Sequence, residues 1–331
     1  MRIFRMGAVA ALVLLSSCSS GEENKNTGEG TIIDRIRVGS GGLEGKLHRA
    51  GTSICQTLAK EKETATIPCE TLVSDGSTHN LLALQEGKIE LGLARADVVY
   101  RAWHGQPPFQ KGFSNLRVLF SLHQEVVTLI IPRDAAISTF RGIEGKKIHV
   151  GVAEPDNERV VLDVLKSCNL STSDLTLVDD GKLTQLSSGM KNHAVQAYFS
   201  LASHPDEALT RLSLEHSLAI LPLTEPCIEK MVDERSYYDK SEVPGELYRG
   251  VKAPVPSFGI RLLVLTTIDV SEKAAYRIVK GIFDHIEELR QSNPLFHRLS
   301  PKVMLPQFSV PYHNGALRYF SEKGWFQPEG K

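Results

Sequence analysis

The chain carries no surplus of either charge: 38 Lys+Arg stand against 39 Asp+Glu, for a formal net charge of −1. A nucleic-acid binder needs a basic excess to displace the counterions of a phosphate backbone, so that class is set aside. Beyond the first twenty residues no apolar run is long enough to cross a bilayer as a helix. The spacings G-x-S-x-G, H-E-x-x-H and Cys-x-x-Cys are all missing, as is any internal repeat. Hydrolase, zincin and zinc-ribbon chemistry therefore have no signature here, and no catalytic residue, metal or cofactor is expected. His193, His204 and His216 fall in different elements, and Asp179-Asp180 before Gly181 read as a turn and helix cap. What is present is an ordinary globular composition, 41% hydrophobic and 23% charged, over 331 residues. That length exceeds what one core serves well and predicts two domains.

The N-terminus reads as a targeting signal. Arg2 and Arg5 precede an apolar run from Gly7 to Leu15, and Leu15-Ser16-Ser17-Cys18 follows. A positive start, a short apolar stretch and a small-residue exit make a signal peptide over residues 1–17. The final four residues match a bacterial lipobox, in which Cys18 is acylated, for example with palmitate, and becomes the mature first residue. Residues 18–31 hold almost no apolar side chains and read as a flexible tether. The expected placement is periplasmic or cell-surface, with a soluble body anchored to the membrane through Cys18. Four further cysteines, Cys55, Cys69, Cys168 and Cys227, allow three pairings. Cys55 and Cys168 fall in line with apolar helix positions and read as small buried hydrophobes. If a disulfide forms, Cys55–Cys69 is the choice, because the two lie on adjacent elements.

Apolar periodicity then alternates between strand and helix. Strands are expected at Ile33–Val38, Ile67–Val73 and Ile89–Ala94, and helices at Glu44–Lys60, Ser77–Glu86 and Ala96–His104. Two β-branched runs follow, Leu116–Leu122 and Val126–Ile131. A second alternating set begins at Lys147–Val150, with a helix over Asp156–Cys168 opened by Pro155. Tyr237–Pro256 reads as an irregular connection, Ile260–Thr266 as a strand, and Ser271 as the cap of a helix reaching Leu289. Alternation of this kind predicts parallel sheet with crossover helices. Two such sets with a return segment predict two lobes, one over residues 32–132 plus 246–331 and the other over 133–245.

Ligand sites in such folds lie where strands end and helix N-termini point. Gly39-Ser40-Gly41-Gly42 follows the first strand, and its glycines would let backbone approach a bound group. A dinucleotide fingerprint fails because Glu44 stands where glycine is needed. A P-loop fails because Ser40 replaces its first glycine and Leu47 its hydroxyl residue. Ser77 and Asn80 open the second helix, where capping and ligand contact are equally good readings. Arg95 ends the third strand and suits a carboxylate through its planar fork, or else pairs with Asp97 or Glu90.

With these residues in view, the chain resembles the TAXI-type solute receptors of tripartite ATP-independent periplasmic (TRAP) transporters. The resemblance runs from about Ile33 to Trp325. It rests on the Gly39–Gly42 turn, Gly76-Ser77 with Asn80, Asp97 with Tyr100, Gly145-Lys146-Lys147-Ile148-His149-Val150-Gly151, and above all His313-Asn314-Gly315-Ala316-Leu317-Arg318-Tyr319-Phe320-Ser321-Glu322-Lys323-Gly324. It implies an α/β fold of the two-lobed periplasmic-binding-protein type (type II, a Venus flytrap) with a ligand cleft between lobes. It also implies a monomer that closes on a small organic solute, an acidic amino acid or dicarboxylate, and hands it to membrane permease subunits. The implied ligand contacts are Ser40, Gly41, Gly42, Ser77, Asn80 and Arg95 from one lobe and Asp156, Asn157 and Tyr198 from the other. The chain departs from the family pattern at Leu43-Glu44-Gly45, at Arg95-Ala96-Asp97, and at Glu154-Pro155-Asp156-Asn157, where a glycine/serine turn is replaced by acidic, rigid or bulky residues. An anion there would meet repulsion, which points either to a solute carrying an amine or to a protein that has kept the fold as a sensor or surface lipoprotein.

Overall fold

A computed structural model describes residues 33–43, 45–150, 155–178 and 183–326. The signal peptide, Cys18, the tether, Glu44, Glu154 and Asp179-Asp180 lie outside the described residues.

The first lobe begins with β1 (Ile36–Gly39), α1 (Lys46–Leu58), β2 (Cys69–Leu72), α2 (Ser77–Gln85), β3 (Leu91–Arg95) and α3 (Ala96–His104). The chain leaves it on β4 (Leu116–Pro132). The second lobe holds β5 (Lys147–His149), α4 (Pro155–Ser167), β6 (Thr176–Val178), α5 (Leu183–Lys191), β7 (Ala197–Ala202), α6 (Glu207–Glu215), β8 (Leu218–Leu221), α7 (Pro226–Glu234) and β9 (Asp239–Val243). It returns on β10 (Val255–Thr267) and ends in the first lobe with α8 (Glu272–Asp284), α9 (Ile286–Ser292), α10 (Pro301–Met304) and α11 (Asn314–Glu322).

The described strands join in the order β2-β1-β3-β10-β4-β7-β5-β6, with β8 on β4 and β9 on β10. Within each lobe the crossover strands pair in parallel, β1 with β2 and β3, and β5 with β6 and β7. The sheet is nonetheless mixed. β10 runs antiparallel to β3, β4 and β9, and β4 runs antiparallel to β7 and β8. β4 meets β10 through Leu116–Val126 and β7 through Val126–Ile130, while β10 meets β9 through Val255–Gly259 and β3 through Leu262–Leu265. These two strands run through both lobes, paired with each other across two register shifts.

Three expectations are corrected. The two runs at 116–122 and 126–131 are a single 17-residue strand, because Gln124 and Glu125 pair with Arg261 and Ile260 while His123 sits at a register shift that does not end the strand. Tyr237–Pro256 is not wholly irregular: polar Asp239–Val243 forms an edge strand, where one side of the ladder faces solvent and apolar side chains are not required. The helix capped by Ser271 breaks at His285, so Ile286–Ser292 is a separate helix.

Both disulfides close, Cys55–Cys69 and Cys168–Cys227. Cys55 and Cys168 are therefore cross-links rather than free buried hydrophobes. The terminal motif is also a packing device. His313 caps α11, its Nδ1 accepting from Gly315 N at 3.1 Å, while its Nε2 bonds Val270 O at 3.0 Å, which requires the Nε2–H tautomer. At Gly315 an added Cβ would stand 2.2 Å from Glu272 O, so only glycine lets α11 lie against α8.

Two histidines beside the long strands are held neutral. Burial pushes His123 down to about 3, with Lys46 adding to the effect. Burial likewise pushes His204 down to about 4. Both side chains return to about 6.5 when the chain unfolds. Between these values the unfolded state holds more protons, so stability falls as pH drops from about 6.5 toward 4. Urea midpoints are expected to decline over that interval, and a flat midpoint from pH 7 to 4.5 would contradict the burial of these rings.

Candidate functional site

Arg95 is the last residue of β3 and is only 4% exposed. Strand extension carries it to the edge of the first lobe, directly before the N-terminus of α3. Its guanidinium takes Asp97 in a fork, Nε to Oδ1 at 3.1 Å and Nη2 to Oδ2 at 2.8 Å. The remaining donors cross to the second lobe, Nη1 to Asn157 Oδ1 at 2.6 Å and Nη2 to the Asp156 carbonyl at 3.2 Å. Glu125, on β4, stands 3.9 Å from Nη1. Burial by itself would lower the Arg95 guanidinium, but Asp97, Glu125 and Asp156 together override it and leave it raised. The Asp97 carboxylate and the Asp156 carboxylate also sit in the first turns of α3 and α4, where the helix dipole favours them.

Arg101, one turn further along α3 and 6% exposed, reaches the same helix end: its Nη2 donates to Asp156 Oδ1 at 2.6 Å. Its Nε and Nη1 are buried without an acceptor. Beside it Tyr100 on α3 meets Tyr237 of the second lobe at 5.1 Å between ring centroids.

A second charged bridge joins the lobes at α1. Lys46, at the first position of that helix, is a cation where the dipole disfavours one. Asp206 compensates, since its Oδ2 lies 2.6 Å from Lys46 Nζ while its Oδ1 caps α6 by accepting from Leu209 N at 2.9 Å. Tyr248 accepts from Asp206 N and bonds His204 Nδ1, which ties down the Asp206 backbone.

The residues singled out from sequence divide into three groups. Arg95, Asp156 and Asn157 come together as described. Ser40, Ser77 and Asn80 form the buried scaffold beneath Arg95. The Ser40 hydroxyl donates to Leu72 O at 2.7 Å, Ser77 Oγ accepts from Arg95 N at 3.1 Å, and Asn80 Nδ2 ties Ser40 O to Leu93 O at 2.6 and 2.7 Å. Gly39 is required by this arrangement, because a Cβ there would stand 2.7 Å from Asn80 Oδ1. The Gly41 carbonyl accepts from Ser74 N, beyond the end of β2, and the Gly42 carbonyl from Gly45 N. Tyr198 is apart from both: its ring packs on His149 and in the cluster of Val126, Ile130 and Leu186, whereas the apolar face of α4 belongs to the main core. Sequence reasoning missed Arg101, Lys46 and Asp206. Asp97 and Arg101 at i, i+4 share one helix face, which was the available signal for the first; nothing local marks the other two.

A family model described as the NMT1-like family matches residues 38–324, and the chain belongs to that family. Among solved structures, a TctC solute-binding protein from Polaromonas, without ligand, is similar with a TM-score of 0.53 at 11% identity, covering 88% of this chain and 96% of that one. A Xanthomonas citri protein solved bound to ATP is similar with a TM-score of 0.50 at 10% identity, covering 87% and 95%. These likenesses are of fold: two-lobed, α/β, of the periplasmic-binding-protein type. Among the described residues no group of three or more His, Cys, Asp or Glu could hold a metal ion.

Removing Arg95 would strand the buried Asp97 carboxylate, whereas in the Lys46–Asp206 pair the Lys46 side chain keeps contact with water. Arg95→Met is expected to cost about 3–5 kcal/mol in urea unfolding, and Lys46→Met about 1 kcal/mol or less. Equal costs would contradict the assignment of the buried cluster as the stronger bridge.

Proposed function

We propose that this member of the NMT1-like family is an extracytoplasmic solute receptor that works by closing its lobes, hinged where β4 and β10 change neighbours. The observation that carries this reading is the buried charge cluster itself. Arg95 and Arg101 of one lobe meet Asp156 and Asn157 of the other at a helix N-terminus, the place where such folds hold a ligand. The Polaromonas relative of the same fold is named a solute-binding protein. The terminal His313–Gly324 motif supports the finer placement in the TAXI type, with TRAP permease subunits as the acceptor and a monomeric receptor as the working unit. The protein catalyses no reaction in this reading.

The solute class follows from the donors and charges at the cluster. Each nitrogen of the Arg95 guanidinium already donates within the protein, so Arg101, with buried Nε and Nη1 unpaired, is the residue that meets a carboxylate. Three carboxylates, Asp97, Glu125 and Asp156, surround two guanidiniums. An acidic amino acid answers both features, its ammonium offsetting the surplus carboxylate, and it fits better than a dicarboxylate of equal length. Calorimetric titration with L-glutamate, L-aspartate and succinate is expected to show the amino acids at least about tenfold tighter, with Arg101→Gln losing about tenfold or more, as charged hydrogen bonds of this strength require. Absence of heat with all three, or affinity untouched by Arg101→Gln, would remove this solute class.

A second reading is favoured by the closure of the cleft on its own side chains: a sensor or surface lipoprotein that retains the fold without a transport role. Copurification with a membrane permease separates the two, since only the transport receptor has that partner. In either reading Cys18 carries the lipid, in a periplasmic or cell-surface protein. Radiolabelled palmitate is expected to enter the wild type and not Cys18→Ala; equal labelling would put the anchor elsewhere.

A further inference from the structure

Beside the hinge lies a cavity of about 400 Å³ that shares no wall with the Arg95 cluster or with the Gly39–Gly42 turn. β4 supplies Leu122 to Gln124 and Val126, the second lobe supplies Ser203 to Pro205 and part of β9, and the first lobe supplies the segment between α9 and α10. Most polar groups in these walls are already satisfied. His204 bonds Tyr248 and Thr128, and Gln124 bonds Asp239 and Ser241. Lys240 pairs with Asp233 at 2.9 Å and Arg261 with Asp239 at 2.8 Å.

Arg261 Nε, though ion-paired to Asp239, makes no hydrogen bond, and two further deep polar atoms have no partner at all. His123 Nδ1 and Ser203 Oγ are buried without a hydrogen-bond partner, on residues 8% and 2% exposed. Leaving a buried polar atom unpaired costs about 1–3 kcal/mol, so a pair of them on residues that line one cavity marks a place for a ligand's polar head. The apolar part of the wall, including Leu122, Val126, Leu295, Leu299 and Val303, suits an apolar body. Charge sets the class. With Lys240 and Arg261 neutralised by their partners, Glu242 and Arg298 contribute one charge of each sign.

We infer that this hinge cavity is a second binding site, separate from the cleft, for a small uncharged molecule with an apolar body and a hydroxyl or amide head that pairs with His123 and Ser203. Because its walls come from both lobes, occupancy ties their relative position to a ligand other than the solute. The neutral His123 ring can donate from one nitrogen and accept at the other, which suits an alcohol or an amide and offers no counter-charge to an acid.

The test is a titration of the mature chain, labelled with ¹⁵N-histidine, with cyclohexanol, benzamide and sodium benzoate in turn. His123→Gln identifies the ring resonances. Cyclohexanol or benzamide is expected to move the His123 nitrogens saturably, with benzoate weaker and with Ser203→Ala reducing affinity about two- to tenfold, the worth of one hydrogen bond. The inference is overturned if neither uncharged probe moves those resonances up to its solubility limit. It is equally overturned if benzoate binds more tightly than both, or if Ser203→Ala folds and leaves the affinity unchanged. The wild-type titration decides the matter even where a variant fails to fold.

Discussion

A guanidinium cut off from water must have its charge met in place, and Arg95 is such a group. Desolvating an ion costs several kcal/mol, which attraction recovers only if the partners are close and every donor is used. Here the partners come from both lobes, so the cluster cannot be complete unless the lobes are together. Asp97 arrives from the same strand–helix junction, Glu125 from the strand that runs between lobes, and Asp156 and Asn157 from the start of α4. Much of the architecture serves this geometry. The scaffold of Ser40, Ser77 and Asn80 holds the Arg95 backbone, and β4 and β10, paired with each other across two register shifts, join the two sides.

Such a cluster changes what a solute has to do. In an open receptor the ligand supplies the contacts that make closure favourable, and it shifts the population only by its preference for the closed form. When arginines and carboxylates of the protein already join across the gap, part of that preference is built in. In the proposed receptor a solute would enter by exchanging with protein groups, and Arg101, with Nε and Nη1 unpaired, is the partner it would gain without breaking a bond. Lys46 and Asp206 act at the other end of the lobe contact with a pair that is less buried than Arg95 and Asp97, a more readily broken bridge.

The alternation of strands and helices was legible because apolar runs and helical faces repeat at their own periods. α3 matched its expected limits, since Gly105 in the left-handed region stops it where the periodicity ends. The long strands were harder to read. His123, Gln124 and Glu125 break the apolar pattern of β4 because there the strand passes between lobes and its side chains face a cavity and a charge cluster instead of a core. β9 was hidden for a related reason, as an edge strand needs no apolar face. At the site, glycine turns and Arg95 were visible because they follow strands. That Arg95 would meet the protein's own Asp97, Asp156 and Asn157 was not, because contacts across 62 residues leave no local trace.

In the proposed receptor the protein's own charges, Arg95 and Arg101 against Asp156 and Asn157, contribute to holding the lobes together. The most direct measurement is the distance between spin labels introduced at Leu82→Cys on α2 and Leu214→Cys on α6, both exposed and on opposite lobes. Pulsed electron–electron double resonance is expected to show a short distance that an acidic amino acid populates further and that Arg95→Met depletes. A distance distribution that neither the solute nor Arg95→Met changes would contradict closure through this cluster.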